Sequence, residues 1–395
     1  MTFDEAPSER RPFRVLATSN VFEPGFRGGG PIKSLVGIVD TISEATEVYL
    51  ITKDRDLGST GPYPGLSGQW IRRGGSRVFY LNTSRLGHWF RLWRQLRAIQ
   101  FDLLYVNSLL SPHFTVIPVV AARFRFIQVA RLLLAPRGEL APGALSLKRR
   151  RKSLFLSLWA YFVKGMNPTW HASSVREARQ IRALSPGAQV EVSQDQVNLP
   201  LEPILATIAN EGPIRLVFIS RIAPVKNLHS ALEALMGLPG PIDFDIYGPV
   251  EDNDYWARCR LIMSRLPQGI RVTYKGELAP LAVRWTFAGY DAFVFPTLGE
   301  NFGHIVAESL SASCPVICPD TTPWTEVLAG GGGIVVRDPS VSGLASEIEL
   351  FAALSPRDRL LARELAGRAY RSWREGAFGP NILEQARVSA WTASP

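Results

Sequence analysis

The sequence predicts an α/β protein with two doubly wound domains, each built on a mostly parallel sheet with helices on both faces. Apolar runs of strand length alternate with longer helix-like stretches along the whole chain, which is the pattern of such sheets. A stretch that contains prolines, Asn198–Pro213, separates one series of runs from the next. At about 100–200 residues per domain, a chain of 395 residues is long enough for two or three domains.

The first series contains five apolar runs of strand length. The predicted strands are Arg14–Ser19, Val48–Thr52, Val78–Leu81, Leu103–Val106 and Ile127–Leu134. Longer stretches between and after them fit helices. The predicted helices are Pro31–Ile42, His88–Ile99, Leu145–Val163 and Ser174–Leu184.

The second series contains six such runs. The predicted strands are Arg215–Ser220, Asp243–Gly248, Val272–Gly276, Ala292–Thr297, Val316–Asp320 and Ile334–Asp338. We therefore predict a hinge near residue 200. The predicted division is a flexible tail over 1–12, a first domain over 13–200, a second domain over 201–375, and a final segment, 376–395, that packs back toward the first domain.

Composition narrows the class of protein. With 46% apolar and 20% charged residues, the chain is not disordered, collagen-like or a coiled coil. Its three cysteines are too few and too irregularly spaced for a disulfide framework or a zinc site, so we expect a reducing cytoplasm. Residues 1–12 are charged and polar, unlike a secretory signal. The longest apolar runs, such as Leu154–Val163, fall short of the ~20 residues of a spanning helix, so we expect a soluble protein.

Charge is distributed unevenly along the chain, whose formal net charge is +9. Residues 1–200 carry 27 Lys and Arg against 14 Asp and Glu, whereas residues 201–395 carry 17 against 21. This asymmetry favours a basic surface on the first half that faces nucleic acid, a membrane or an anionic substrate. Most of the basic residues are Arg, which a GC-rich genome would also favour, so the excess has a second explanation.

Ligands of doubly wound sheets bind beyond the carboxyl ends of the strands. The first predicted strand runs into the loop NVFEPGFRGGGP, which contains Gly28, Gly29 and Gly30. Consecutive glycines leave backbone amides uncovered and permit positive φ, and the following helix adds its N-terminal partial charge. This loop can therefore approach a phosphate, although glycine-rich surface turns are also common.

Two cations follow the first strand of the second series. Arg221 lies at the carboxyl end of the strand RLVFIS, and Lys226 is predicted at the opening of the next helix. Cations in this arrangement can bind a diphosphate and stabilise it as it departs. A solvent-exposed pair of basic side chains is the alternative.

The most specific motif is PTLGENFGHIVAESLSASCPVICPD, which carries Glu300 and Glu308. We expect Glu300 in the loop after a buried strand and Glu308 about a turn and a half into the following helix. Carboxylates so placed can accept hydrogen bonds from vicinal hydroxyls, as an acidic residue does from ribose in dinucleotide folds. The amides of residues 302–304, at the start of that helix, suit an anion.

Taken together, these segments resemble the group 1 (family 4) retaining glycosyltransferases. The likeness is carried by DIYGPVED, VTYKGEL, FVFPTLGENFGHIVAESLSASCPVI and TPWTEVLAGGGGIVV, and by the N-terminal FEPGFRGGGPIKSLVGI. It covers about residues 13–375 and is most specific from Arg215 to Val336. The resemblance implies the GT-B architecture, in which two Rossmann-like domains face each other across a cleft, with acceptor binding in the first domain and nucleotide-sugar binding in the second.

The resemblance also implies roles for individual residues. Glu300 and Glu308 match the E-x7-E motif, whose first Glu contacts the donor sugar and whose second holds the ribose. Arg221 and Lys226 match the pair that binds the donor diphosphate, so the predicted catalytic residues are Arg221, Lys226 and Glu300. The predicted donor-binding residues are Gly28, Gly29, Gly30, Gly248, Gly276, Glu277, Asn301, Phe302, Gly303, His304, Ile305 and Glu308. The resemblance implies that neither a metal nor a cofactor is needed, and the sequence shows no His cluster.

The acceptor side departs from the family pattern. Many members carry a His near the end of the strand predicted at Ile127–Leu134, where this sequence has APRGEL. Arg137 or Glu139 in that segment, or His113 on the preceding loop, is the predicted acceptor contact. Asp195 also replaces a glycine-containing turn that is common at the hinge.

The function implied by the resemblance is transfer of a sugar from a nucleotide diphosphate sugar to a hydroxyl of a saccharide or lipid-linked saccharide, with retention, in bacterial surface polysaccharide biosynthesis. The basic, aromatic segments Arg85–Ile99 and Leu145–Phe162 favour peripheral binding to an anionic membrane surface on the cytoplasmic side, although core-facing helices with solvated Arg would look similar. Nucleic acid is not expected as a partner. Two alternatives stay open, namely a nucleotide-sugar epimerase on the same scaffold and a basic nucleic-acid-binding protein.

Overall fold

The computed structural model describes residues 11–141, 149–207, 212–376 and 379–392. These residues form two compact units. The first contains residues 11–140, 149–196 and 380–392, and the second contains residue 141 together with 197–207, 212–376 and 379. Residues 1–10, which make up most of the predicted tail, and residues 142–148, where the predicted helix Leu145–Val163 starts, lie outside the described residues.

The first unit is built on an eight-stranded sheet. Its strands are Phe13–Ser19 (β1), Thr46–Lys53 (β2), Trp70–Arg73 (β3), Ser76–Leu81 (β4), Gln100–Asn107 (β5), Gln128–Ala135 (β6), Thr169–Ala172 (β7) and Gln189–Val192 (β8). The order is β3-β4-β2-β1-β5-β6-β7-β8, and every neighbouring pair is parallel except β3 with β4. The five predicted strands are present with ends that differ by at most three residues, whereas β3, β7 and β8 were missed because each is short and none is a continuous apolar run.

Helices cover both faces of this sheet. They are Gly30–Asp40 (α1), Leu86–Leu96 (α2), Ile117–Arg123 (α3), Arg149–Lys164 (α4) and Val175–Leu184 (α5). The prediction of a helix from residue 145 can be followed only from Arg149, where the description resumes. The helix α5 begins after Ser174, whose hydroxyl accepts a hydrogen bond from the amide of Glu177 at 3.2 Å and so caps the first turn.

The second unit is built on six parallel strands. They are Ile214–Ile219 (β9), Ile242–Tyr247 (β10), Ile270–Gly276 (β11), Ala292–Val294 (β12), Val316–Pro319 (β13) and Gly333–Val336 (β14). The order β11-β10-β9-β12-β13-β14 is that of the dinucleotide-binding doubly wound sheet, in which the order reverses between the first and fourth strands. The site expected for such a sheet therefore lies at the carboxyl ends of β9 and β12.

The predicted strand Ala292–Thr297 is shorter in the structure. The amide of Phe295 still donates to the carbonyl of Ile317 at 2.8 Å, but Pro296 has no amide to continue the ladder. The chain then leaves the sheet, and the amide of Leu298 donates to the carbonyl of Val225 in the loop after β9 at 2.9 Å. This departure carries the following residues toward the end of β9.

Helices also cover the second sheet. They are Leu228–Leu235 (α6), Asn253–Met263 (α7), Pro280–Ala288 (α8), His304–Ser311 (α9), Val341–Ala352 (α10) and Pro356–Gly376 (α11). Phe218, Phe244 and Phe293 lie between these layers and are fully buried. The prediction of two doubly wound α/β domains is confirmed.

The last helix, Ile382–Thr392 (α12), belongs to the first unit. The carboxylate of Glu384 accepts hydrogen bonds from the amide of Ser43 at 3.0 Å and from the hydroxyl of Thr46 at 2.8 Å. These bonds attach α12 to the turn before β2, and Leu383 is fully buried there. Within the described parts of the chain, no helix has the length and apolar character needed to cross a membrane.

Candidate active site

Lys226 and Glu300 meet at the carboxyl ends of β9 and β12. The ammonium group of Lys226 forms an ion pair with Oε1 of Glu300, and the two side chains are only 12% and 14% exposed. The same ammonium group lies 5.5 Å from the centre of the Phe295 ring. A partly buried charged pair therefore occupies the place where the strand order of the second sheet reverses.

Backbone bonds between the two loops hold this pair in place. Besides the bond from Leu298 to Val225, the hydroxyl of Thr297 lies 3.3 Å from the Val225 carbonyl and 3.4 Å from Oε1 of Glu300. The hydroxyl of Thr321 donates to the carbonyl of Thr297 at 2.8 Å. The proximity of Lys226 to Glu300 thus follows from strand order and loop bonding.

Arg221 has a different partner from Lys226. Its guanidinium group contacts Glu251 at 2.5 Å, and both side chains are well exposed. Lys226 ends a single helical turn, Pro224–Lys226, and α6 begins only at Leu228, after Asn227 in the left-handed region. The helix therefore begins two residues after Lys226, later than predicted, because the left-handed backbone of Asn227 separates the short turn from α6.

Glu308 lies inside the unit rather than on its surface. It is the fifth residue of α9 and is 7% exposed. The helix begins after Gly303, whose φ of +87° favours glycine, and a Cβ at that position would lie 3.3 Å from the indole of Trp324. The same indole donates to the carbonyl of Phe302 at 2.6 Å, so the loop before α9 is held closely.

The other residues predicted at this end of α9 are near neighbours along the chain. Asn301 and Phe302 precede Gly303, and His304 and Ile305 form the first turn. The rings of Phe302 and His304 lie 4.7 Å apart, and both residues are buried. The first turn of a helix carries amides outside the internal hydrogen-bond series and favours negative charge.

Gly248 and Gly276 lie at the ends of β10 and β11. Gly248 has φ +134°, and a Cβ there would collide with the carbonyl oxygen of Ser220 at the end of β9. Its amide donates to the carbonyl of Gly276 at 2.9 Å. The carboxyl ends of β9, β10 and β11 are therefore in close contact, and Glu277 follows directly after β11.

The glycine loop of the first unit follows β1. Gly29 has φ +61° and precedes α1, and a Cβ at Gly28 would lie 2.9 Å from Cγ2 of Val21. Gly30 is the first residue of α1. Upstream, the amide of Phe26 donates to the carboxylate of Asp56 at 3.0 Å, which anchors the loop on its N-terminal side.

Arg137 and Glu139 have internal contacts. The guanidinium group of Arg137 is 5% exposed and contacts Asp195 at 2.5 Å. The carboxylate of Glu139 accepts hydrogen bonds from the hydroxyl of Ser108 at 2.7 Å and from the amide of Leu109 at 2.6 Å. Both side chains thus support the loops after β5 and β6, and their contact with an acceptor stays a prediction.

His113 is the acceptor candidate that is exposed. It lies in the wide helical turn Pro112–Val116, which follows β5, and its ring centre is 6.1 Å from that of Trp89 in α2. The apolar face of α2 packs inward through Leu92 and Leu96, whereas Leu86 and Phe90 are exposed. The alternative of a core-facing helix is therefore correct for the face of α2 that carries Leu92 and Leu96. In the second basic segment, the basic run before Ser153 lies outside the side chains that the structure describes.

A buried chain of polar groups next to Arg137 was not predicted from the sequence. The hydroxyl of Tyr105 lies 2.9 Å from Nδ1 of His171, and Nε2 of His171 lies 2.9 Å from the carbonyl of Ser193. Because a carbonyl only accepts, Nε2 carries the proton and Nδ1 accepts from Tyr105. Burial lowers the pKa of His171 to about 4, so the ring is neutral near pH 7. No local pattern around His171 indicates these contacts.

Comparison with known proteins bears on the second unit most directly. Residues 206–365 match the family model of the glycosyl transferases group 1. The second unit is therefore similar to the group 1 glycosyl transferases. The O-antigen chain mannosyltransferase B of Escherichia coli is 27% identical over 164 residues, which are 40% of this chain and 42% of the relative, so the match spans less than half of that relative's length.

The fold of the whole chain is similar to that of solved glycosyltransferases. The HepE protein of Anabaena, in complex with UDP and glucose, superposes with a TM-score of 0.69 at 17% identity over 96% of this chain and 99% of that chain. WaaG, a glycosyltransferase involved in lipopolysaccharide biosynthesis, superposes with a TM-score of 0.62 at 13% identity over 96% and 100%. The chain therefore has the GT-B fold, as the sequence predicted.

Proposed function

We propose that the protein is a retaining, metal-independent glycosyltransferase that moves a sugar from a nucleotide diphosphate sugar to a hydroxyl of a saccharide or lipid-linked saccharide. The observation that carries this proposal is the Lys226–Glu300 pair at the point where the strand order reverses, within a segment that matches the group 1 family model. A cation and a carboxylate at that point provide one group for a diphosphate and one for sugar hydroxyls.

The charges at the site suggest how donor binding proceeds. In the structure, the ammonium of Lys226 and the carboxylate of Glu300 satisfy each other. When the donor binds, Lys226 turns to the diphosphate and Glu300 to the hydroxyls of the sugar, while the buried Glu308 holds the ribose. Arg221, with its exposed partner Glu251, moves to the diphosphate at little cost because exposed ion pairs contribute little.

The chemical step then depends on charge stabilisation. As the glycosidic bond to the donor breaks, negative charge grows on the leaving diphosphate, and Lys226, Arg221 and the amides at the start of α9 stabilise it. A strong nucleophile is unnecessary if the acceptor hydroxyl attacks on the face from which the diphosphate leaves. No cofactor and no metal take part in this proposal.

The relatives support a biosynthetic setting and a donor class. The names of the mannosyltransferase and of WaaG refer to O-antigen chains and lipopolysaccharide, and HepE was solved with UDP and glucose. We therefore place the protein in the biosynthesis of a bacterial surface polysaccharide such as lipopolysaccharide, capsule or exopolysaccharide. None of these relatives supports the epimerase or the nucleic-acid-binding alternative.

A thermal-shift panel of nucleotide sugars tests the donor site. A ligand at 100 times its Kd adds about 2.7 kcal/mol of stability, which makes the preferred donor easy to recognise. Glu308→Gln should weaken the response to that donor, whereas Glu364→Gln, at an exposed position of α11, should leave it unchanged. The proposal fails if no nucleotide sugar stabilises the wild type, or if Glu308→Gln responds as the wild type does.

A cytoplasmic location with peripheral binding to an anionic membrane surface belongs to the same proposal. It is supported by exposed apolar side chains beside basic residues in the first unit, with Phe90 72% exposed on α2 and Phe124 and Phe126 flanking Arg125. In a flotation assay, the wild type should rise with phosphatidylglycerol vesicles, whereas Phe90→Ser should stay at the bottom of the gradient. Trp285→Ser, which removes an exposed aromatic ring from the second unit, is the matched control and should still float.

A further inference from the structure

The carboxylate of Asp195 links two separate parts of the first unit. Asp195 is 6% exposed and lies three residues after β8. Its Oδ1 accepts a hydrogen bond from the guanidinium of Arg137 at 2.5 Å, and its Oδ2 accepts one from the hydroxyl of Ser34 at 2.6 Å. One buried side chain therefore joins the segment after β6 to the helix α1.

The Arg137 side of this link is held rigidly. Nε and Nη2 of Arg137 donate to Oδ1 of Asn107 at 3.1 and 2.9 Å, and Nη2 also contacts the hydroxyl of Tyr105. Tyr105 is in turn bonded to His171. These contacts from β5 and β7 fix the guanidinium group, and the guanidinium group fixes Asp195.

The α1 side of the link lies directly behind the glycine loop. Ser34 is one turn after Gly30, and its hydroxyl also lies 3.0 Å from the Gly30 carbonyl. A Cβ at Gly37, one turn further, would lie 2.5 Å from the carbonyl oxygen of Gln196. The backbone after Asp195 therefore passes against the inner face of α1, and Asp195 meets the turn that begins at Gly30.

Within the glycine loop, the amide of Gly29 donates to the carbonyl of Phe26 at 3.0 Å. Three consecutive glycines permit many backbone conformations, so an ordered loop needs anchors on either side. Asp56 provides the upstream anchor through the amides of Phe26 and Arg27. Asp195 provides the downstream anchor through Ser34.

We propose that Asp195 is a positioning residue for donor binding, because it fixes the first turn of α1 through Ser34 and thereby orients Gly28–Gly30. This inference rests on the proposed function, in which that loop approaches the donor diphosphate. A loop that is oriented before the donor arrives spares the free energy of ordering it on binding. In this proposal, Asp195, which replaces the glycine-containing turn that is common at the hinge, positions the glycine loop.

Ser34→Ala is the decisive variant, because it removes the link to α1 and leaves the Arg137–Asp195 ion pair intact. The probe is whichever of UDP, GDP, ADP and dTDP stabilises the wild type most. We expect Ser34→Ala to bind this probe about tenfold more weakly by isothermal titration calorimetry, and Asp195→Asn to bind at least as weakly. Thr41→Ala removes a comparable hydroxyl from the other end of α1, where it donates to the Gly37 carbonyl at 2.8 Å, and should bind as the wild type does.

A double-mutant cycle separates positioning from stability. Gly29→Ala disturbs the loop directly, because alanine is strained at the φ of +61° that this position adopts. The added Cβ would meet no other atom, so the effect comes from the backbone alone. If Ser34 acts through the loop, the losses of affinity in Ser34→Ala and Gly29→Ala combine less than additively. A purely structural role instead lowers the stability of Ser34→Ala and Thr41→Ala with no change in affinity.

The outcomes separate the two claims. A wild type that binds none of the four nucleotides overturns the proposed function, and the positioning role with it. A wild type that binds, with Ser34→Ala and Asp195→Asn binding equally well, overturns the positioning role alone. Additive losses in the double-mutant cycle also overturn it.

Discussion

Lys226→Met tests the electrostatic role of the candidate site, because methionine keeps the apolar stem over the Phe295 ring and removes only the charge. Lys226 is 12% exposed, so its charge acts in a largely dehydrated setting where a single stabilising group typically contributes 10²–10³ in rate, or about 2.7–4 kcal/mol. We therefore expect turnover of the nucleotide sugar to fall by about 10²–10³.

The cost to folding should be smaller than the cost to turnover. Breaking a buried pair costs about 3–5 kcal/mol and an exposed pair about 0–1. Glu300 keeps 14% exposure and a contact with the Thr297 hydroxyl at 3.4 Å, which places the expected loss at about 1–2 kcal/mol in urea unfolding. Arg258→Met, which breaks an exposed ion pair with Glu233 in the same unit, is the control and should change neither quantity appreciably. Turnover of Lys226→Met within about threefold of wild type would refute the role given to this charge.

Three further outcomes are expected. Gly248→Ala should lower the free energy of unfolding of the second unit by about 1–3 kcal/mol, since its Cβ would collide with the Ser220 carbonyl, and urea denaturation should show a smaller loss for Gly276→Ala, where the space is open. The pKa of His171 is about 4 in the folded protein and 6.5 in the unfolded chain, so the unfolded state binds more protons between these values. The free energy of unfolding should therefore fall by about 3 kcal/mol as the pH drops from 6.5 to 4, and urea titrations of His171→Gln should show a flatter dependence; equal slopes would contradict this. Trp324→Phe should loosen the start of α9 by removing the indole bond to the Phe302 carbonyl, which predicts weaker donor binding in the thermal-shift assay.

The strands β9, β12 and β13 of the second unit were predictable because a strand of a parallel sheet that is covered on both faces is apolar along most of its length. An apolar run such as the one that contains Phe218 can be recognised as a strand without knowledge of the strands beside it. The strands β3 and β8 are short, polar and partly exposed, so composition does not distinguish them from loops. Pro296, which has no backbone amide, was a signal in the sequence that the strand beginning at Ala292 ends early.

The candidate site was predictable as separate pieces and not as an arrangement. Glu300 and Lys226 are 74 residues apart, and their contact depends on β9 and β12 being neighbours. The burial of Glu308 follows from packing between α9 and its surroundings. Arg137 and Asp195, 58 residues apart, looked like departures from a family pattern until the structure brought them together.

In the proposed function, the Lys226–Glu300 site cleaves the bond between the sugar and the diphosphate of a nucleotide sugar. The most direct test is the rate of nucleoside diphosphate release from a panel of nucleotide sugars, with and without candidate saccharide acceptors. We expect release from one preferred donor, accelerated by acceptor and reduced at least a hundredfold in Lys226→Met. Absence of release from every donor, or release that is unchanged in Lys226→Met, would contradict it.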